Sequence, residues 1–418
     1  MLQHALLVGA LNAVRATLML LGALVGLHEL DNEAMELGLD DLGEQEQAYF
    51  GCRGPLRLSD RLTRTHRLRR VPGVDRAVDV LLYGTDVDFI RETRMSKEAF
   101  EGLGEAMYGP GWHATMELSG QYYRHIVSGD TPPFSGSMGS SQSSSGSRRR
   151  GRPSIHPKRR LFVLLHALAY NFTTCEALGA TFNMGRTTIE SLFAKDLRNL
   201  VIALREEIAW PDPLAIVRDI HLLQPEWDRR LEMARVVQND PVTVAYEDRL
   251  RRSLFAADGV PIRLRKLPSG DNSSDYYNHK GFYSVNFMVI LNILTEEVVD
   301  IHGPHPGCSS DSRMFRRMNV HNDPETYLLC DQGMGANILT DKAFPAALPY
   351  IVRPRPGVVH DADIQTCMRN PIERKFGIVK NRFKIIHTGL PFEDMHRCSL
   401  IVHACFLLDG FIRRFHTE

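Results

Sequence analysis

Between Val78 and Met107 apolar and charged residues alternate at helical spacing. Met95-Ser96-Lys97-Glu98-Ala99-Phe100 predicts a helix start, with Ser96 as N-cap and Phe100, Leu103 and Met107 along one face. Leu161, Leu164, Leu165, Leu168 and Ala169 repeat at the same spacing. Thr174 predicts the cap of a second helix bearing Ala177, Leu178 and Phe182, and Asn183-Met184-Gly185 a tight turn. Thr187-Thr188-Ile189-Glu190 reads as a capping box opening a third helix through Leu192, Phe193, Leu197 and Leu200. Residues 158–213 are therefore a helix-turn-helix candidate, in which Arg186, Thr187, Thr188 and Ser191 would face the major groove. The alternative is a packed three-helix bundle without DNA contact.

From Arg252 the period changes. Ser253–Asp258 predicts a short buried strand and Tyr283–Leu294 a long one. A turn at Thr295-Glu296-Glu297 leads to a third strand, Val298–His302. Ser309–Met318 reads as a helix, Tyr327–Asp331 as a fourth strand and Tyr350–Arg353 as a fifth, with helices from Asn370 and from Glu393. Three meandering strands, a helix, a strand and later helices describe an α/β class, a ribonuclease-H-like mixed sheet in which the first and fourth strands are neighbours. The resulting organisation is a mostly helical region 1–127, a linker 128–157, the helical unit 158–213 and an α/β domain 250–418.

Composition refines this picture in a few places. The chain has 418 residues, 43% hydrophobic and 24% charged, a globular composition long enough for two or three units. Its formal net charge of +0 gives no general attraction to nucleic acid, but basic clusters at Arg148–Arg160 and Arg374–Lys384 can bind phosphate locally. Ser128–Ser147 is Ser/Gly/Pro-rich and reads as a flexible linker. Ala5–Leu27 is apolar but broken by Asn12 and Arg15, leaving Ala16–Leu27 short for a membrane span. We rank a buried or partner-binding helix first there, a targeting segment second and a membrane anchor third. The 7 cysteines show no C-x-x-C pair, which disfavours a zinc site of that type and favours reduced thiols.

Candidate chemistry lies in three carboxylates: Asp258 after an apolar run, Asp331 after Tyr327-Leu328-Leu329-Cys330, and Glu373 in Asn370-Pro371-Ile372-Glu373. Acids brought from strand ends and a helix to one spot can hold divalent ions for phosphoryl transfer, and such ions relieve the repulsion between neighbouring carboxylates. Each also has an ordinary structural reading. Asp258-Gly259 could be a turn pair, Asp331 a cap, and Glu373 the N3 acid of a helix capped by Asn370 with Pro371 at N1. Arg148-Arg149-Arg150-Gly151-Arg152-Pro153, continued by Lys158-Arg159-Arg160, reads as a nuclear import signal or phosphate contact ahead of a minor-groove hook made by Arg150 and Arg152.

Four further stretches carry a family resemblance: Asp258-Gly259-Val260-Pro261-Ile262, Tyr276–Asn286, His305–Phe315 and Ile372–Phe383. In this order they resemble the PIF/Harbinger DDE transposases and the nucleases derived from them. That resemblance implies Asp258, Asp331 and Glu373 as a metal-binding catalytic triad for Mg²⁺ or Mn²⁺, with Asp311 a weaker fourth candidate. It implies double-stranded DNA as substrate, with Lys280, Arg374, Lys375 and Lys380 holding phosphates. It also implies a Myb/SANT-like partner protein, and homo-oligomerisation stays open. The basic run and the absence of a basic n-region before Ala5–Leu27 predict residence in the nucleus, with the cytoplasm as a second compartment, and no membrane association is expected. After Asp331 the chain departs from the family's Gly-Tyr-Pro-like turn, having Gln332-Gly333-Met334 instead. Two functions compete: a metal-dependent DNA endonuclease or transposase-like enzyme, and a DNA-binding or adaptor protein that keeps the fold without the chemistry.

Overall fold

A computed structural model of the chain describes residues 84–110, 155–170, 174–234, 241–268, 273–329, 335–345, 348–355 and 359–415, with positions 77, 80, 81 and 112. The apolar segment Ala5–Leu27, the linker and Arg150 and Arg152 lie outside them.

Helices α1 (Asp86–Thr93) and α2 (Lys97–Tyr108) start at Thr85 and Ser96, whose hydroxyls accept from Asp88 N and Ala99 N. Helix α3 (Pro157–Ala169) buries Leu161, Leu164, Leu165, Leu168 and Ala169, the stripe its spacing predicts. Phe89, Phe100, Phe162 and Phe182 meet edge-to-face at 5.2–6.4 Å and tie these helices together. The basic run at the start of α3 is spent inside this packing. Lys158 pairs with Glu101 at 2.7 Å and lies over the Trp112 ring; Arg159 donates to the Phe182 carbonyl; Arg160 pairs with Asp196 at 2.5 Å.

Thr174 caps α4 (Cys175–Thr181) as expected, and Asn183 makes the following turn in the left-handed region at φ 48°. The turn is tight because the Met184 carbonyl sits 2.6 Å from where a Cβ on Gly179 would stand. The next helix, α5 (Arg186–Ser191), starts at Gly185 without a side-chain cap, so the predicted capping box does not form. It passes through a π turn at Leu192–Asp196 into α6 (Leu197–Ala203). Two long helices follow, α7 (Pro213–Ala234) and α8 (Pro241–Arg251). They brace the sheet: buried Trp227 donates to the Ser253 carbonyl at 3.2 Å, and the Tyr246 hydroxyl to the Arg353 carbonyl at 2.9 Å.

The sheet has five strands, β1 (Ser253–Arg263), β2 (Ser284–Asn292), β3 (Val298–Pro306), β4 (Asn337–Leu339) and β5 (Ile351–Val352), ordered β3-β2-β1-β4-β5. The first three are antiparallel neighbours, and β4 and β5 run parallel beside β1. This mixed sheet is compatible with a ribonuclease-H-like domain. Every residue of β2 is buried, which explains the unbroken apolar run from Phe287 to Leu291 within it. β1 pairs with β2 from Phe255 to Arg263 but with β4 only as far as Ala256. From there to Arg263, whose carbonyl accepts from Leu390 N at 2.8 Å, no strand pairs with that edge of β1, so Pro261 costs no ladder hydrogen bond on that side.

Two expectations are corrected here. The predicted fourth strand at Tyr327 is helical: between the short helices α9 (Asp311–Phe315) and α10 (Asn319–Asn322) and β4 lies α11 (Pro324–Leu328), capped by Asp323 with Pro324 at its first position. The strand beside β1 comes later, at Asn337–Leu339. The helix expected from Asn370 is also longer. It is α12 (Val359–Arg382), with Pro371 inside it. Asn370 is therefore not an N-cap, and Glu373 is not an N3 capping acid.

Helix α12 continues through α13 (Lys384–Thr388) to α14 (Met395–Arg414), whose one buried carboxylate, Asp409, receives both Lys375 and Arg382 of α12. By length and composition α14 could cross a membrane, but most of it is buried in this fold.

Candidate active site

Asp258 stands in the middle of β1, not at its end, because the β2 ladder carries the strand on to Arg263. Its Oδ1 accepts from the Gly259 amide at 3.0 Å, and its Oδ2 accepts from Arg369 Nη1 at 3.1 Å. The other terminal nitrogen of the same guanidinium donates to Glu373 Oε1 at 2.6 Å. Arg369 and Glu373 lie four residues apart on α12, one turn of helix, so they share a face. One arginine thus joins the central strand to the helix through two carboxylates. The Arg369 and Asp258 side chains are 13% and 20% exposed, whereas Glu373 is 53% exposed and faces solvent.

Burial pushes the Asp258 carboxyl up to about 6; Arg369 opposes that shift, while Asp311 and Glu373 add to it. Asp311, the first residue of α9, is itself raised by burial and then by Asp341, against the pull of Lys280 and Arg369. Its carboxylate is pressed against the backbone beside Asp258, since a Cβ on Gly259 would stand 2.0 Å from Asp311 Oδ1. A side chain at 259 would expel it, so glycine is required by close approach rather than by backbone conformation.

Asp331 lies outside the described residues. The acid that follows the observed β4 is Asp341. The last parallel pair is Ala256 with Leu339, and Asp258 and Asp341 each lie two residues beyond it on adjacent strands. Asp341 is followed by Phe344-Pro345, an aromatic–proline step of the type missing after Asp331. Its Oδ1 also accepts from Ala343 N at 2.9 Å, holding that turn. Sequence reasoning missed Asp341 because it assigned β4 to the wrong apolar run. Arg369 was missed because an Arg–Glu pair four apart reads as ordinary helix surface.

The stretch Tyr276–Asn286 builds a rim beside these acids. Asn278 donates to Ser284 Oγ at 2.9 Å, and its own carbonyl accepts from Lys280 N and Phe282 N. Ser284 donates to Asn286, which in turn donates to the carbonyls of Gly307 and Ser309. This network fixes an exposed turn bearing Lys280, whose charge acts on both Asp311 and Lys380. Lys380 donates to the Pro261 carbonyl at 3.2 Å, and burial, then Lys280, lowers its pKa to about 8.

The remaining phosphate-binding expectations fare differently. Lys375 is buried, 4% exposed, and paired with Asp409 at 2.5 Å, so it points into the core and cannot reach a phosphate; this corrects its assignment. Arg374 is exposed but paired with Glu296 at the β2–β3 turn. Arg186 is exposed and sits between Glu176 and Glu190 at 2.7 and 2.6 Å. Thr187 is exposed and Thr188 half-buried beside it.

A hard divalent cation needs anionic oxygen donors. Asp258 and Glu373 provide them, Asp258 from a desolvated seat, so in donor chemistry the site fits such an ion. Among the described residues no three His, Cys, Asp or Glu side chains stand in an arrangement that would hold a metal, and Arg369 holds the two carboxylates instead.

Residues 257–409 match the family described as DDE superfamily endonuclease, a stretch running from β1 beside Asp258 to Asp409 in α14. The match supports a transposase-derived nuclease family for this region; endonucleases of that superfamily act on DNA and typically use divalent metals. No curated protein and no solved structure matches the chain.

Proposed function

We propose that the chain is a divalent-metal-dependent DNA endonuclease of the PIF/Harbinger type. The observation that carries this reading is the convergence of Asp258, from the central strand, and Glu373, from α12, on one guanidinium beside the stretch of β1 that β4 does not pair. Asp258, Glu373 and the acid after β4 would hold the cation. Parallel register favours Asp341 for that third position over Asp331. When bound, Mg²⁺ or Mn²⁺ supplies the charge that activates an attacking oxygen and stabilises the leaving one.

The chain's own residues do the rest. Desolvation of Asp258 strengthens its interaction with a cation, and Gly259 keeps Asp311 close enough to add negative potential. Lys280 and Lys380 hold backbone phosphates at the rim as point charges. Exposed Arg186 and Thr187, with half-buried Thr188 beside them on α5, offer a second contact with duplex DNA. Nuclear residence rests on the basic run through Arg150 and Arg152, and a Myb/SANT-like partner on the family resemblance. The competing reading, a fold kept without chemistry, draws support from Arg369, which already satisfies both carboxylates.

The test is nicking of supercoiled plasmid by the full chain with Mn²⁺, comparing Asp341→Asn with Asp331→Asn. The reading expects near-complete loss in Asp341→Asn and activity retained in Asp331→Asn. The reverse pattern would return the third ligand to Asp331, and no nicking by the unsubstituted protein would favour the adaptor.

A further inference from the structure

We propose that Arg369 is a positioning residue that stands in for the cation: in the metal-free protein it holds Asp258 and Glu373 together, and it must leave both when a divalent ion binds. The inference rests on the metal-binding reading above.

Three observations lead to it. First, the contact is bidentate across elements. Nη1 takes Asp258 Oδ2 at 3.1 Å and Nη2 takes Glu373 Oε1 at 2.6 Å, so one planar group fixes the strand acid against the helix acid. Second, the guanidinium is secluded. Its side chain is 13% exposed, less than either carboxylate, so it sits behind the acids as a fixed counter-charge and is not a mobile surface arginine. Third, the local charge requires a cation. Asp311 lies against Gly259 on the same side, and the three acids Asp258, Asp311 and Glu373 would repel one another without Arg369.

The oxygens Arg369 occupies are those a cation would use. Asp258 Oδ1 already accepts from the Gly259 amide, and Oδ2, which has no backbone donor, accepts from Nη1. A hard ion coordinating Oδ2 and Glu373 Oε1 therefore displaces two charge-assisted hydrogen bonds and brings its own positive charge against the guanidinium. Both effects weaken cation binding. In exchange, the carboxylates are held near their working separation before the ion arrives, which avoids collapse or splaying of the metal-free site. A displaced Arg369 remains tethered one helical turn from Glu373 and can turn towards solvent or a DNA phosphate.

The prediction concerns metal affinity, which a purely structural arginine would not raise when removed. Mn²⁺ binding to the purified full chain is measured by paramagnetic resonance of the free ion, for the unsubstituted protein, Arg369→Met, Arg369→Lys and Asp258→Asn. Arg369→Met keeps the length of the stem and removes the donors. It is expected to bind Mn²⁺ about tenfold or more tightly than the unsubstituted protein, the scale of one charge-assisted hydrogen bond. Arg369→Lys keeps the charge without the planar fork and should gain less; it also serves if Arg369→Met fails to fold. In EDTA, both variants should melt below the unsubstituted protein, and Mn²⁺ should raise their melting temperatures more than it raises that of the unsubstituted protein. If the unsubstituted protein binds Mn²⁺, loses it in Asp258→Asn, and neither arginine variant gains affinity, the stand-in role is wrong while the metal site survives. If none of the proteins binds Mn²⁺, the metal-binding reading itself fails, and the inference with it.

Discussion

Replacing Asp258 by Asn should stabilise the metal-free protein, and by an amount the site itself sets. The carboxyl rises from 3.8 to about 6 because burial penalises its charged form more than Arg369 and the Gly259 amide favour it. Holding it ionised in the folded state therefore costs about 3 kcal/mol at neutral pH. Asn is the neutral isostere and avoids that cost, but it offers Arg369 a weaker acceptor, so the net gain should be about 1–3 kcal/mol. The direction with pH follows from a folded-state pKa above the unfolded one. Well below pH 3.8 both states hold the proton, and the difference due to this carboxylate should vanish. As pH rises from about 4 to 6 the unsubstituted protein releases a proton that its folded state binds more tightly, and it loses stability relative to Asp258→Asn. Above pH 6 the full difference should persist. Thermal melts in EDTA at pH 4, 5, 6 and 8 measure it, with an expected separation on the order of 5 °C at pH 8. A variant that melts lower than the unsubstituted protein at pH 8 would refute the reasoning, because the Arg369 ion pair would then outweigh the desolvation.

Lys375→Met should cost about 3 kcal/mol in urea unfolding, because it removes one partner from a buried charge, while leaving the DNA affinity of the folded protein unchanged. Loss of affinity without loss of stability would mean that Lys375 reaches DNA. Gly259→Ala should lower stability by about 1–3 kcal/mol, since its methyl group meets Asp311 and that carboxylate must move; an unchanged melt would contradict the close contact. If Lys380 holds a phosphate, affinity of the full chain for duplex DNA at fixed salt should fall as pH rises through about 8, where its amine loses its proton. Lys380→Met should remove that pH dependence, and a dependence that survives the substitution assigns it to another group.

Much of the sheet is readable from the chain because β2 is buried throughout and carries five consecutive apolar residues, Phe287 to Leu291. Asp258 and Glu373 stand out in their local motifs, and the fold joins both carboxylates to Arg369. The fourth strand was misplaced for a physical reason. Tyr327-Leu328-Leu329-Cys330 has the apolar content of a buried strand, but Asp323 and Pro324 form a helix start ahead of it, with the Asp323 side chain accepting from Thr326 N. The true β4 has three residues, too few to display a period, and its acid Asp341 was hidden with it. The Asn370-Pro371 pair looked like a helix start because proline is favoured there, yet the helix begins before it and tolerates the missing donor. Lys375 looked like part of a solvated basic face. Its burial depends on Asp409 in the core of α14, a partner no local pattern connects to it. For the same reason Arg369 was invisible, as its second partner, Asp258, is 111 positions away.

Glu373→Gln tests the central claim most directly. Glu373 is exposed and lies inside α12, not at its start, so the substitution keeps the helix and removes one anionic oxygen. Supercoiled plasmid is incubated with the unsubstituted full chain and with Glu373→Gln, in Mn²⁺ and in EDTA, after melting curves have confirmed that both are folded. A metal-dependent nuclease nicks in Mn²⁺, stops in EDTA, and loses nearly all nicking in Glu373→Gln at an almost unchanged melting temperature. Equal nicking by the two proteins in Mn²⁺, or nicking that persists in EDTA, would contradict the account.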